Sequence, residues 1–423
     1  MSRCVKVLVL ALAVLCIRPP ATHAQTAPRA FSVFIDCPDT HCDGDFYRTE
    51  LAFVDHVRDR TAADVHILVT SERTGGGGEK FTLAFYGQRR FAGISDTLTV
   101  NTPQGNTEDE QRKTLARTMR SGLVRFLART PDGSRIVVTL EDATASTTKA
   151  TPAHDPWNAW VFRIGANLNG DKETRQQSRN INGNLRASRI TEQWKTTLRV
   201  DEYYNDYKVT IGGEEITNIR RDYGGGALQV RSLNDHWSLG ARAGASSSTY
   251  LNQRLGINVA PAIEYDHYPY KESTRRQLIA QYSAGMRYFS YNDTTIYFKT
   301  KETRPFESLS LGYSQKQTWG SIDAGVNGYH FLDDLSKSRL NMSLEADVRL
   351  FKGLNLSSYI DYAVIHDQIF LAKGDATRDE VLLRQSQLQT GYRAFFYISL
   401  NYTFGSVLNN VVNPRFNASR NDF

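Results

Sequence analysis

Few residues in this 423-residue chain stand in the types and spacings that chemistry needs. The tightest constellation is Cys37-Pro-Asp-Thr-His-Cys42. In an oxidising compartment, two cysteines this close form a small disulfide loop. With His41 they also offer donors to a metal, although no second ligand pair stands nearby. The Cys-x-x-Cys spacing of a redox site is absent. Thr74-Gly-Gly-Gly-Gly-Glu-Lys80 has the glycines of a phosphate loop but lacks Gly-Lys-Ser/Thr opening a helix, and reads as a hairpin turn. His236, His267, His330 and His366 are scattered through the second half. That half holds no Gly-x-Ser-x-Gly, and no histidine stands beside an obvious serine with a third orienting group. No catalytic, cofactor-binding or metal-ligating set is expected, and no enzymatic activity.

A larger group is ionic. Arg163, Arg186, Lys195, Arg199, Arg242, Arg287, Arg339 and Arg349, with Asp201, Glu264, Asp323, Glu345, Asp347 and Asp361, recur in segments whose alternate positions are apolar. Between 339 and 350, Leu340, Met342, Leu344, Ala346, Val348 and Leu350 share one face. Arg339, Asn341, Ser343, Glu345, Asp347 and Arg349 share the other. Such a strand separates hydrocarbon from water. Leu278 to Tyr288 and Ala394 to Phe404 repeat the pattern.

The elements that must position these rows start at about residue 157. Some twelve segments of period two are expected, with short turns at 232–236, 316–320 and 351–353 and longer polar loops at 203–215, 292–305 and 366–382. A soluble β-sandwich also alternates, but short turns on one rim and long loops on the other fit a transmembrane antiparallel β-barrel. The weakest strand is 216–230, where Leu228 and Val230 share a face with Arg220 and Asp222. The fourteen charges listed above are then lumen-facing. Eight positive and six negative groups form no single-sign ring, so they read as an ion-pair network filling a narrow interior, with an open pore as the alternative. Trp160, Trp194, Trp237 and Trp319 fit interfacial girdles.

Before the barrel, residues 30–142 read as a small α/β domain. Strands are predicted at Phe31–Ile35, Val65–Thr70, Lys80–Tyr86 and Ile136–Leu140, with helices over Asp45–Arg60 and after the capping box Thr107-x-x-Glu110. Residues 143–156 are a linker and 405–423 a tail. The start of the chain reads as a signal peptide: Arg3 and Lys6 precede the apolar Val7–Ile17, Arg18-Pro19-Pro20 breaks the run, and cleavage is placed after Ala24. Lipidation at Cys16 would need a small residue where Leu15 stands. No other segment has the eighteen apolar residues of a membrane helix. The net charge of +6 is mixed along the chain, so no nucleic-acid partner is expected.

Ala260-Pro-Ala-Ile-Glu-Tyr265, Glu272-Ser-Thr-Arg-Arg-Gln-Leu278, Leu350-Phe-Lys-Gly-Leu354, Tyr402-Thr-Phe-Gly-Ser406 and Val412-Asn-Pro-Arg-Phe416 resemble uncharacterised bacterial outer-membrane β-barrel proteins related to the salt-induced outer-membrane protein type. The resemblance covers about 158–416. It implies a barrel and supplies no catalytic residues. Barrels of this kind commonly end on an aromatic residue. Phe404 fits that role but nineteen residues follow it, and Phe416 and Phe423 are the alternatives.

The expected place is the bacterial outer membrane, with the N-terminal domain in the periplasm. Its expected partners are outer-membrane lipid, the barrel insertion machinery and a periplasmic or envelope protein. Three functions follow: a non-enzymatic barrel anchoring the domain, a narrow channel for ions or small solutes, or a barrel hydrolase.

Overall fold

A computed structural model describes residues 29–38, 42–75, 77–137, 155–273, 275–374 and 387–406. The predicted signal peptide, His41, residues 143–154 of the linker, and Phe416 and Phe423 lie outside the described residues.

The N-terminal region folds around a five-stranded sheet. β1 (Ser32–Asp36) runs parallel to β2 (Asp55–His56) on one side and β3 (Val65–Arg73) on the other; β4 (Glu79–Gly87) and β5 (Ser95–Thr102) continue from β3 antiparallel. Helix α1 (Gly44–Glu50) precedes β2, and α2 (Glu108–Leu127) follows β5. The capping box is made as expected: the Glu110 amide donates to Thr107 Oγ1 at 3.2 Å, and the Thr107 amide donates to Glu110 Oε2 at 2.8 Å. From that start α2 lays Leu115, Met119, Leu123 and Phe126 onto Phe81, Leu83 and Phe85 in one apolar core.

Two expectations for this region are corrected. The helix predicted over Asp45–Arg60 stops at Glu50. Leu51, Val54 and Val57 are buried at the predicted spacing, but the open edge of β1 captures Asp55-His56 as a short parallel strand, and the helix ends before it. β5 was not expected. Its two apolar residues, Leu98 and Val100, alternate with Thr97, Thr99 and Asn101 and pack on the core. Ile136 and Val137 form no strand, and the rest of that predicted strand lies outside the described residues.

The second region is a twelve-stranded antiparallel meander in strict sequence order. Its strands are β6 (Trp160–Lys172), β7 (Gln176–Ile190), β8 (Trp194–Ile211), β9 (Glu214–Ser232), β10 (Trp237–Ser248), β11 (Gln253–Asp266), β12 (Arg276–Tyr291), β13 (Lys301–Gln317), β14 (Gly320–Phe331), β15 (Asp334–Phe351), β16 (Leu354–Ile365) and β17 (Tyr392–Tyr402). An even count brings the start of β6 and the end of β17 to one rim, the near rim. β6 and β17 are the two edges, and no pairing joins them among the described residues.

The register aligns the apolar positions from strand to strand. Ile164 faces Leu185, which faces Val200; Ile263 faces Tyr282, which faces Leu309; Leu344 faces Ile360, which faces Phe396. These side chains are largely exposed to solvent. The doubtful strand is part of the sheet as β9. Its register puts Leu228 and Val230 on the charged face, opposite Thr197 and Lys195.

The expected division into a short-turn and a long-loop rim holds only in part: the turns near 232–236, 316–320 and 351–353 are short, and long connections follow β12 and β16 at the far rim. Residues 203–215 are not a loop: β8 and β9 pair throughout, joined by Gly212 and Gly213 at φ +63° and +91°. Two successive positive φ values make the tight turn whose twist suits an antiparallel pair, and glycine adopts them freely. The near rim in turn carries the long connection 267–275.

Close packing makes one glycine decisive. A Cβ on Gly122 of α2 would fall 2.1 Å from the Phe85 ring. Gly122→Val is expected to destabilise the N-terminal domain by about 1–3 kcal/mol through overpacking. Hydrogen exchange on the full chain should show faster exchange in α2 and β4 with β6–β17 unchanged.

Candidate functional site at the two mouths of the sheet

The register places all fourteen ionic residues named from the sequence on one face, opposite the apolar rows. It also separates them by sign. Arg163 faces Arg186, which faces Arg199, across β6–β8. Asp323 faces Glu345 across β14 and β15. Like charges directly opposed repel, so these rows do not pair across the strands, although Asp361 meets Arg393 of β17 at 2.9 Å. Among the described residues a single ion pair joins two of the fourteen, Arg199 and Asp201 at 3.8 Å. Among the fourteen themselves the expected network is limited to that pair in the described residues, because the pairing sets like beside like in these rows.

Partners come from elsewhere. Arg349, at the near-rim end of β15, donates Nη1 and Nη2 to the two carboxylate oxygens of Asp36 at 2.5 Å each. Its guanidinium also lies 5.2 Å from the Phe34 ring centroid. Asp36 ends β1 and is 4% exposed. Its Oδ2 also meets Nε2 of the fully buried His66 on β3 at 3.0 Å. A bidentate pair of this kind fixes orientation as well as distance. A second contact lies at the tip of the β3–β4 hairpin, where a Cβ on Gly75 would come within 2.9 Å of the Ile190 Cβ at the end of β7. The N-terminal domain thus rests on the near rim at two separated turns. Beneath it is a cavity of about 640 Å³ lined by Phe34, Arg58, Arg60, Arg349, Lys352 and Tyr402, among others.

At the far rim the closing element is the connection after β16. Its first part folds back over the charged face, burying Ile369 against Ala260, Phe306 and Phe331. Backbone bonds hold it: the Ile296 amide donates to Leu371 O at 2.8 Å, and the Lys373 amide to Thr294 O at 2.7 Å. Asn252 Nδ2 donates to the carbonyls of Asp293 and Phe370, both at 3.0 Å. Asp367 accepts from Arg339 Nε at 2.9 Å and from the Tyr329 hydroxyl. Arg287 is held between the rings of Phe306 and Tyr329, at 4.3 and 4.6 Å from their centroids.

Asp36 and the in-folded loop were missed in the sequence. A signal for the loop exists, since Ile369-Phe370-Leu371 is an apolar triplet inside an otherwise polar stretch. For Asp36 none exists, because its partner is 313 residues away. Cys37 and Cys42, directly after β1, form the expected disulfide. Gly75 and Gly77 lie in a hairpin turn, as read from the missing Walker pattern. Trp160, Trp194 and Trp237 begin β6, β8 and β10, and Trp319 directly precedes β14, so all four stand at the near rim. His236 and His267 lie in near-rim connections, while His330 and His366 stand at the far rim. No group of three or more potential metal ligands occurs among the described residues.

No family model and no curated protein matches the chain. A solved structure of the NanC porin in a rhombohedral crystal form is similar at 8% identity and a TM-score of 0.28, over 57% of this chain and 100% of that one. A superposition that loose supports no inference.

The Asp36–Arg349 contact makes the docking pH-dependent. Burial alone would raise the Asp36 carboxyl, but hydrogen bonds from His66 and Arg349, with the Arg349 charge, hold it below the ordinary carboxylate range. A depressed folded-state value contributes stability that is present at neutral pH and lost as pH falls below about 4. Limited proteolysis should find the N-terminal domain protected at pH 7 and cut faster below pH 4. Asp36→Asn should be cut faster already at pH 7; protection unchanged by that substitution would show that the pair does not hold the domain.

Proposed function

We propose that this chain is an outer-membrane β-barrel that holds its N-terminal α/β domain at the periplasmic mouth, serving the cell envelope as a structural or interaction protein. One observation carries the reading. An apolar face extends across the twelve strands and is exposed, while all fourteen ionic residues named from the sequence turn to the other side. Water would not tolerate an apolar surface of that extent, and hydrocarbon requires it. Tryptophans gathered at one rim support an interfacial level there. The resemblance to the salt-induced outer-membrane protein type agrees. Two of its motifs meet at that rim, where the Thr403 amide donates to Gly353 O at 2.7 Å beside Arg349.

Unpaired strand edges cost several kcal/mol per orphaned group in lipid, so the reading requires β6 and β17 to pair within the membrane. Cysteines placed at Ala166 and, one at a time, at Ala394, Phe396 and Ile398 should give a disulfide for one combination in membranes. Failure of every combination would remove the closed barrel.

A docked domain at one mouth and an in-folded loop at the other leave no clear passage. In planar bilayers the wild type should therefore show no steady conductance, and Arg349→Ala combined with removal of 366–374 should produce one. Steady wild-type conductance would instead favour a second reading, a narrow channel for small anions. The opposed Arg163, Arg186 and Arg199 support that reading.

A further inference from the structure

On the apolar face, close to the far rim, one row breaks the pattern. Glu307 on β13 faces His330 on β14, His330 faces Ser338 on β15, and the His366 amide donates to Ser338 O at 2.9 Å. Glu307 Oε1 meets His330 Nε2 at 3.0 Å, and the Tyr282 hydroxyl donates to Glu307 Oε2 at 2.5 Å. With Nε2 taken, the free nitrogen of the ring is Nδ1. Ser338 is the direct cross-strand neighbour on the side away from Glu307, where paired Cβ atoms lie about 4.5–5.5 Å apart. Ionisable groups on a lipid-facing wall are costly and mark function more often than structure.

The next row toward the near rim is Leu309, Gly328, Leu340 and Val364, each paired with the next. Gly328 leaves a notch between two leucines. The result is a groove of about 590 Å³ with apolar walls and the Glu307–His330–Ser338 row at its far-rim end. An acyl chain lying along Gly328 would bring its ester carbonyl to Ser338.

We propose that Ser338, His330 and Glu307 form an acyl-ester hydrolase site that acts on membrane lipid from the outer wall of the barrel, an inference resting on the membrane reading above. Ser338 Oγ attacks the ester carbonyl carbon while its proton passes to His330 Nδ1. The carbonyl C–O bond to the glycerol oxygen breaks, and the alcohol leaves with that proton. Water from the far-rim surface then attacks the acyl-serine, His330 again taking and returning a proton, and the fatty acid is released. Glu307 is a positioning residue, holding the ring and stabilising its protonated form.

The test uses the full chain in non-ionic detergent mixed with phosphatidylethanolamine, with heat-modifiable gel migration as the check of folding. Wild type should release fatty acid and take a fluorophosphonate label at Ser338, located by mass. Ser338→Ala and His330→Asn should each lower release by at least about 10³-fold. Glu307→Gln should lower kcat with KM unchanged, and His267→Ala, at the opposite rim, should leave release intact. Folded wild type that neither releases fatty acid nor labels overturns the proposal, as does release that survives Ser338→Ala. Protein that stays soluble without detergent overturns the membrane reading itself, and the proposal with it.

Discussion

The register of the twelve-stranded sheet is the constraint from which the rest follows. Side chains alternate across a strand with period two, so a slip of one residue in any hairpin would move a whole apolar row onto the charged face. The observed pairing avoids this in every hairpin. It even overrides local composition, since Leu228 and Val230 lie on the charged face because β8 and β10 leave β9 no other alignment. Tight connections such as Gly212–Gly213 help to hold it, because a two-residue turn admits little slack.

Register also explains why other segments are needed to complete the charged face. It stacks Arg163, Arg186 and Arg199 in one row and sets Asp323 opposite Glu345 in another, so these rows oppose like charges across the strands. Two arginines near the rims are then satisfied from outside the sheet, Arg349 by Asp36 of the N-terminal domain and Arg339 by Asp367 of the in-folded loop, while Arg287 lies against the Phe306 and Tyr329 rings of neighbouring strands. A buried ion pair is a poor source of net stability but a strong source of specificity, because breaking it strands a charge. The Asp36–Arg349 pair accordingly acts on where the domain sits more than on how firmly either part folds.

The two faces hold different chemistry. The charged one lies beneath the N-terminal domain at one rim and the in-folded loop at the other. The apolar one is interrupted near the far rim, where Glu307, His330 and Ser338 line up. Each of the three comes from a different strand, so the row exists only because three registers agree.

Much was legible in the residues alone. Period-two alternation revealed the strands and the identity of the two faces, the Thr107–Glu110 box marked the start of α2, and the cysteine spacing pointed to the disulfide. These depend on neighbours in sequence, and local chemistry determines them. The Asp45–Arg60 helix and the 203–215 loop were misread because both segments are locally ambiguous, and a waiting strand partner decided each. Cross-strand opposition of like charges, the latch between Asp36 and Arg349, the burial of Ile369 and the alignment of Glu307, His330 and Ser338 belong to tertiary structure alone. Each joins residues that the chain separates, and nothing in a one-dimensional pattern states which strand residue will stand opposite which.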